Sequence, residues 1–159
     1  MATEQVISDE ARQEIEKLFV HLPTKKAACI DALKVVQKHN RWVSDQALVE
    51  LGPILGMTPH EIDGIATFYN IIFRRPVGRH VIYLCNSVSC WILGFEEVHK
   101  ALKEKLQIDF GMTTKDDRFT FLPIPCIGTC DHAPAMIVDE DLYRDLKPEG
   151  LDEILAKYE

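Results

Sequence analysis

Four of the five cysteines fall into two close pairs, Cys85-x4-Cys90 and Cys126-x3-Cys130, with 35 residues between the pairs. Thiols paired in this way can hold a soft metal, close a disulfide or act as redox nucleophiles. A loop of four residues between ligands is wider than the two usual in a zinc knuckle. It matches the first pair of plant-type ferredoxins, although the rest of their spacing is absent here. Disulfide catalysis of the C-x-x-C kind would need a spacing that neither pair has. The pattern therefore suits a 2Fe–2S cluster held by Cys85, Cys90, Cys126 and Cys130. A structural zinc on the same four thiols is the competing reading, and the spacing weighs against it.

The residues between the cysteines point the same way. Asn86, Ser87, Ser89, Gly128 and Thr129 are small or polar, so backbone N–H groups can approach cluster sulfur. Such hydrogen bonds stabilise the added negative charge when a centre of about −2 is reduced to about −3. Cys90 is expected at the start of a helix, whose positive end favours a thiolate. Cys29, between Ala28 and Ile30, reads as a small core residue in mid-helix. His132 follows Cys130 closely enough to replace a ligand, as histidine does in Rieske centres. Four cysteines already complete the set, so a supporting or solvent-facing role is expected for it.

The elements that must position these loops follow from local signals. Ser8, Thr24, Ser44 and Thr58 can each cap a helix. Ile15, Leu18 and Phe19 line the first helix, and Ala28 to Val36 give the second a broad apolar face. The third is expected to end at Gly52-Pro53 or at Gly56. In Thr58-Pro59-His60-Glu61, a cap, a proline suited to the first helical position and a capping-box glutamate coincide, and that helix should reach about Tyr69. Four short helices suggest a small bundle. Arg74-Arg75-Pro76-Val77-Gly78 then breaks the pattern and reads as a linker, placing a helical bundle at 1–75 and a second domain at 76–159.

In the second domain, Val81–Leu84, Phe119–Leu122 and Ala135–Val138 read as strands, and Leu142–Arg144 as the return of a hairpin across Asp139-Glu140-Asp141. Trp91 to Ile108 has helical spacing, with Leu93, Val98, Leu102 and Leu106 on one side, and Pro148 opens a last helix. Strand, helix, strand, strand, helix is the order of a minimal thioredoxin-like α/β domain, α+β over the whole chain, with a right-handed crossover between its first two strands. Each cysteine pair follows a strand, so two parallel neighbouring strands would bring both loops to one sheet edge.

Composition narrows the function classes. The chain has 159 residues, 47% of them hydrophobic and 27% charged, with a net charge of −7. The acidic balance argues against nucleic-acid backbones and anionic lipid as partners. Arg74, Arg75 and Arg79 make a thin basic spot that reads as a solvated or partner-facing loop. The longest mostly apolar stretch, Gly64 to Phe73, is too short to span a bilayer. Met-Ala-Thr-Glu-Gln at the N-terminus has neither a basic nor an apolar region of the secretory kind, so a reducing cytosol is expected, where cysteines serve as ligands more often than as disulfides. No Gly-rich nucleotide loop and no nucleophile–base pair stand out. Phe68, Tyr69, Phe73 and Trp91 are equally readable as partner contacts or as core.

With these residues in view the chain resembles the thioredoxin-like 2Fe–2S subunits of respiratory complex I, the bacterial NADH:quinone oxidoreductase. The resemblance rests on Gly64-Ile65-Ala66-Thr67-Phe68-Tyr69 running on through Phe73, Pro76-Val77-Gly78 and Arg79-His80-Val81. It also rests on the loops Cys85-Asn86-Ser87-Val88-Ser89-Cys90 and Pro125-Cys126-Ile127-Gly128-Thr129-Cys130, and on Ala133-Pro134-Ala135-Met136. It implies a helical N-terminal part beside a ferredoxin domain, one cluster, and docking on the subunit that binds FMN and NADH. The cluster would exchange single electrons with that FMN, on the peripheral arm at the cytoplasmic face of the inner membrane. It also implies an electron carrier within an enzyme, with no substrate-converting site of its own. An equivalent subunit of an NAD-linked hydrogenase or formate dehydrogenase is the alternative parent.

Overall fold

Capping side chains start the helices of the N-terminal part. In the computed structural model, which describes residues 5–159, Ser8 accepts the N–H of Ala11 and opens α1 (Asp9–Leu18), which buries Ala11 and Ile15. The reading of the extreme N-terminus falls largely outside the described residues. Thr24 accepts the N–H of Ala27, but the turn it opens, Lys25–Ala28, is a 3-10 turn, and α2 (Cys29–Asn40) follows it. Cys29 therefore begins the α-helix instead of sitting in its middle, and it is buried as expected for a core residue. Ser44 caps α3 (Asp45–Leu55), which runs through Gly52-Pro53 and stops at Gly56, where φ is +66°. The proline forfeits one helical hydrogen bond, while Leu51 and Leu55 on either side are buried and hold the helix in register. Thr58 and Glu61 form the reciprocal capping box of α4 (Pro59–Phe68): Thr58 N–H donates to Glu61 at 2.7 Å and Glu61 N–H donates to Thr58 at 3.2 Å.

The segment after α4 is strapped to the bundle. Gln37 donates to the Ile71 carbonyl at 2.8 Å and accepts from Phe73 N–H at 2.6 Å. Val43 N–H donates to the Phe73 carbonyl at 2.8 Å. Arg74 donates to Asp63 at 2.7 Å, to Asp45 at 2.6 Å and to the Val43 carbonyl. Arg74 is thus an internal clamp and no part of a solvated basic spot, because two carboxylates and a carbonyl compete successfully with water for its five donors.

The chain divides into two compact units, one ending at Pro76 and the other spanning Val77–Glu159. The second is a five-stranded sheet in the order β2-β3-β1-β4-β5. Its strands are β1 (His80–Cys85), β2 (Met112–Thr113), β3 (Phe119–Ile124), β4 (Met136–Val138) and β5 (Asp141–Tyr143). β1 and β3 are parallel, and the other pairings are antiparallel. Pro123 sits in β3 without disrupting the ladder because β2 reaches only as far as Phe121, which leaves that side of Pro123 at an edge. The strand β2 is too short for a pattern of period two and escapes sequence reading.

Between β1 and β2 lie α5 (Val88–Ile92) and α6 (Phe95–Leu106). The single helix expected from Trp91 to Ile108 is broken at Gly94, whose φ of +115° is incompatible with a continuing helix. Val98 and Leu102 face the core, whereas Leu93, one residue before the break, is exposed. A 3-10 turn, Pro148–Gly150, leads into α7 (Leu151–Leu155). Arg118 ties that end to the sheet by donating to the Leu155 carbonyl at 2.7 Å and the Tyr158 carbonyl at 2.5 Å. Each unit has its own apolar core, around Leu33, Leu51 and Ile62 in the first and Ile82, Leu102 and Phe121 in the second. Among the described residues no helix is long and apolar enough to cross a membrane.

Candidate metal centre

The parallel pairing of β1 with β3 sets Cys85 beside Ile124, so Cys126 lies two residues past the neighbour of Cys85. Asn86 N–H donates to the Ile124 carbonyl at 3.0 Å, carrying the ladder one step beyond the strand. On the other side, Cys85 N–H donates to the Ala135 carbonyl at 3.1 Å. Three stretches therefore converge at the end of β1: the loop after it, the loop after β3, and the return segment Ala133–Ala135. Cys85 is the last residue of β1, Cys90 lies inside α5, and Cys130 opens the 3-10 turn Cys130–His132.

The four thiols are free, Cys85 and Cys90 buried and Cys126 and Cys130 exposed. The sulfurs of Cys126 and Cys130 are 3.2 Å apart, and Gly128 N–H donates to the Cys126 sulfur at 3.4 Å. Gly128 reaches this position with φ at +88°, a conformation glycine adopts without strain. Burial, then the adjacent Cys85 thiol, pushes the Cys90 thiol up to about 11, while the Ala135 N–H on its sulfur opposes the rise. The Cys130 thiol and the Gly128 amide lower Cys126. Cys126 raises Cys130, and the Ser89 hydroxyl, from the other loop, opposes that shift. Among the described residues no three His, Cys, Asp or Glu side chains are gathered for one ion. The thiols approach one another as two pairs.

This donor set fits a 2Fe–2S cluster. Thiolates are the ligands such a cluster takes, and amide and hydroxyl donors already lie on three of the four sulfurs. The thiols must lose their protons on binding. Ala135 escapes a reading that looks only between the cysteines; the Ala133-Pro134-Ala135 run is its one sequence signal. The expectation for Cys90 needs correction, since it is the third residue of a five-residue helix. So short a helix has little dipole to offer, and the donors on the sulfurs take that role.

The other candidates fall into two groups: Cys29, Phe68, Tyr69 and Phe73 belong to the first unit, while His132 closes the 3-10 turn that Cys130 opens and Trp91 follows Cys90 in α5. Cys29 belongs to the core of the first unit, and burial raises its thiol. The two ring nitrogens of His132 face Asp145 at 2.9 Å and Asp131 at 3.6 Å. Phe68, Tyr69 and Trp91 are exposed, while Phe73 is half-buried.

Residues 15–159 match the family described as thioredoxin-like 2Fe-2S ferredoxin. One subunit of the NADH-quinone oxidoreductase of Pseudomonas aeruginosa is 44% identical over 153 residues, covering 96% of this chain and 92% of the relative. The corresponding subunit from Escherichia coli K12 is 46% identical over 152 residues, again covering 96% and 92%. Among solved structures, an NAD+-reducing NiFe hydrogenase in the air-oxidised state superposes with a TM-score of 0.70 at 26% identity. The match covers 82% of this chain but 22% of the hydrogenase chain, so this chain spans about a fifth of that longer polypeptide. The cysteine loops and the match over nearly the whole length agree: the chain belongs to the thioredoxin-like 2Fe–2S ferredoxins, and its cofactor is a single 2Fe–2S cluster.

Proposed function

We propose that this chain is the 2Fe–2S electron-transfer subunit of an NADH:quinone oxidoreductase, exchanging single electrons with the FMN of a neighbouring NADH-oxidising subunit. Cys85, Cys90, Cys126 and Cys130 hold the cluster. The observation that carries the reading is the meeting of both cysteine loops at one end of the β1–β3 pair. The parent complex is supported by relatives named as a subunit of that oxidoreductase, alike over 92% of their own length. The hydrogenase alternative rests on the fold likeness to a chain of which this one spans 22%, and we rank it second.

The bound cluster supplies reversible one-electron storage, with its charge moving from about −2 to about −3. The rest is done by this chain. Cys85 and Cys90 grip from the buried side, and Cys126 and Cys130 from the exposed side, so electrons enter and leave where the latter face outwards. The amides of Gly128 and Ala135 and the hydroxyl of Ser89 point at thiolate sulfur and favour the reduced form. The chain converts no substrate itself. Residues 1–75 act as a helical module and 76–159 as the ferredoxin domain. The protein works on the peripheral arm at the cytoplasmic face of the membrane, without inserting into the bilayer or binding nucleic acid.

Iron and sulfide analysis tests the assignment. About two irons and two labile sulfides per chain are expected, with an electron spin resonance signal after dithionite reduction. One zinc without sulfide would overturn it. Cys126→Ala is expected to abolish or severely destabilise the cluster, and Cys29→Ala to leave the visible spectrum intact. Equal loss of colour in both variants would contradict the ligand set.

A further inference from the structure

The fold holds the two cysteine pairs differently. Cys85 and Cys90 are 1% and 2% exposed. Cys85 ends β1, where its N–H donates to the Ala135 carbonyl at 3.1 Å and the next N–H, of Asn86, donates to the Ile124 carbonyl at 3.0 Å. Cys90 is fixed inside α5, between the Trp91 N–H on the Ser87 carbonyl at 2.9 Å and the Leu93 N–H on the Ser89 carbonyl at 3.1 Å. Cys126 and Cys130 are exposed. They bound an irregular segment between β3 and the 3-10 turn Cys130–His132, and Gly128 inside it has φ at +88°. Their sulfurs are 3.2 Å apart.

A disulfide bond of about 2.05 Å is a short movement away from that spacing, and a glycine-containing segment outside strand and helix can make it. A small external disulfide can reach the exposed pair, whereas the fold screens the buried one. Thiolates bound to iron are not free to react, so this chemistry belongs to the chain before the cluster is inserted or after it is lost. The exchange balances in two steps. One thiolate of the pair attacks a sulfur of the external disulfide, whose S–S bond breaks and releases one thiol. The other thiolate then attacks the protein sulfur of that mixed disulfide and releases the second thiol. The chain gives up two electrons and two protons, and the external disulfide is reduced to two thiols.

We infer that Cys126 and Cys130 form a reversible disulfide gate on cluster insertion, closed by a small disulfide such as oxidised glutathione and reopened by thiols, while Cys85 and Cys90 stay reduced. This rests on the ligand set proposed above. A closed chain offers two of its four ligands and cannot take up the cluster. Closure also keeps the two exposed sulfurs off the irreversible steps of cysteine oxidation, and a disulfide that is itself exposed is readily reduced again.

The test uses the full-length chain, cluster-loaded and after anaerobic chelation of its iron, treated with oxidised glutathione, alkylated and digested with trypsin. Cleavage after Arg79, Lys100, Arg118 and Arg144 puts the buried pair on the peptide 80–100 and the exposed pair on 119–144, so mass spectrometry reads each pair separately. In the stripped chain, 119–144 is expected to lose both alkylation sites and two hydrogens at least about tenfold faster than 80–100, and in the loaded chain neither should change. Cys126→Ser and Cys130→Ser should each stop at a glutathione adduct on the remaining thiol of 119–144, and Cys29→Ser should close as wild type. The oxidised chain should gain no cluster absorption from added iron and sulfide until dithiothreitol is supplied. Equal closure of both pairs, a disulfide joining the two peptides, or an oxidised chain that loads as well as the reduced one would overturn the gate while leaving the proposed function standing. A reduced, never-oxidised chain that takes up no iron and sulfide would overturn both.

Discussion

Single residues set hard limits in this fold. At Gly78 a Cβ would lie 2.9 Å from the carbonyl carbon of Phe119 and 3.1 Å from that of Arg118, and the Gly78 N–H donates to Thr120 at 2.7 Å. The obstacle is backbone, which cannot swing aside. Gly78→Ala is therefore expected to cost about 1–3 kcal/mol, seen as a lower urea midpoint at unchanged slope. Asp109 shows how pH acts through one side chain. Lys103 at 2.5 Å, Phe110 N–H at 2.8 Å and His99 at 3.1 Å hold its carboxyl down to about 2, from an ordinary 3.8. The folded form thus keeps the charge better than the unfolded one. Its stabilisation is present above about pH 4 and is lost as pH falls towards 2. Thermal melts across that range should flatten in Asp109→Asn relative to wild type.

At the scale of elements, local chemistry decides where helices begin, and packing decides where they end. The caps at Ser8, Ser44 and Thr58 are all made. Thr58→Ala removes one half of a reciprocal box and is expected to lower stability by about 1 kcal/mol, measurable by circular dichroism on heating. Leu102 is fully buried on α6, and Leu102→Ala should cost about 2–5 kcal/mol without altering the cluster spectrum. Helix ends are less legible. Of the two stops expected for the third helix, Gly52-Pro53 and Gly56, the chain uses Gly56, and the break at Gly94 is hidden because Leu93, Val98 and Leu102 keep helical spacing across it. In the fold, Gly94 packs where a Cβ would meet Glu97 at 2.9 Å and Pro134 at 3.7 Å, contacts that periodicity does not encode.

On the scale of the whole molecule, the four cysteines all belong to the unit Val77–Glu159. Losing the cluster should therefore act on that unit. Chelation of the iron is expected to speed amide exchange over residues 85–94 and 126–135. The core amides of Leu33, Leu51 and Ile62, in the first unit, should keep their protection. Hydrogen-exchange mass spectrometry on the loaded and stripped protein checks this.

By itself the sequence determined what depends on neighbours within a few positions: the types and spacing of the cysteines, the strand-forming runs before each pair, and the helix caps. Only the tertiary structure decided what depends on residues far apart in the chain. Parallel register puts Ile124 beside Cys85, the return segment lays the Ala135 amide on Cys90, and Arg74 turns inward to Asp45 and Asp63. The physical reason is range. A cap or an alternating strand is a local free-energy preference, whereas a hydrogen bond across tens of residues exists only after the chain has closed the loop between its partners.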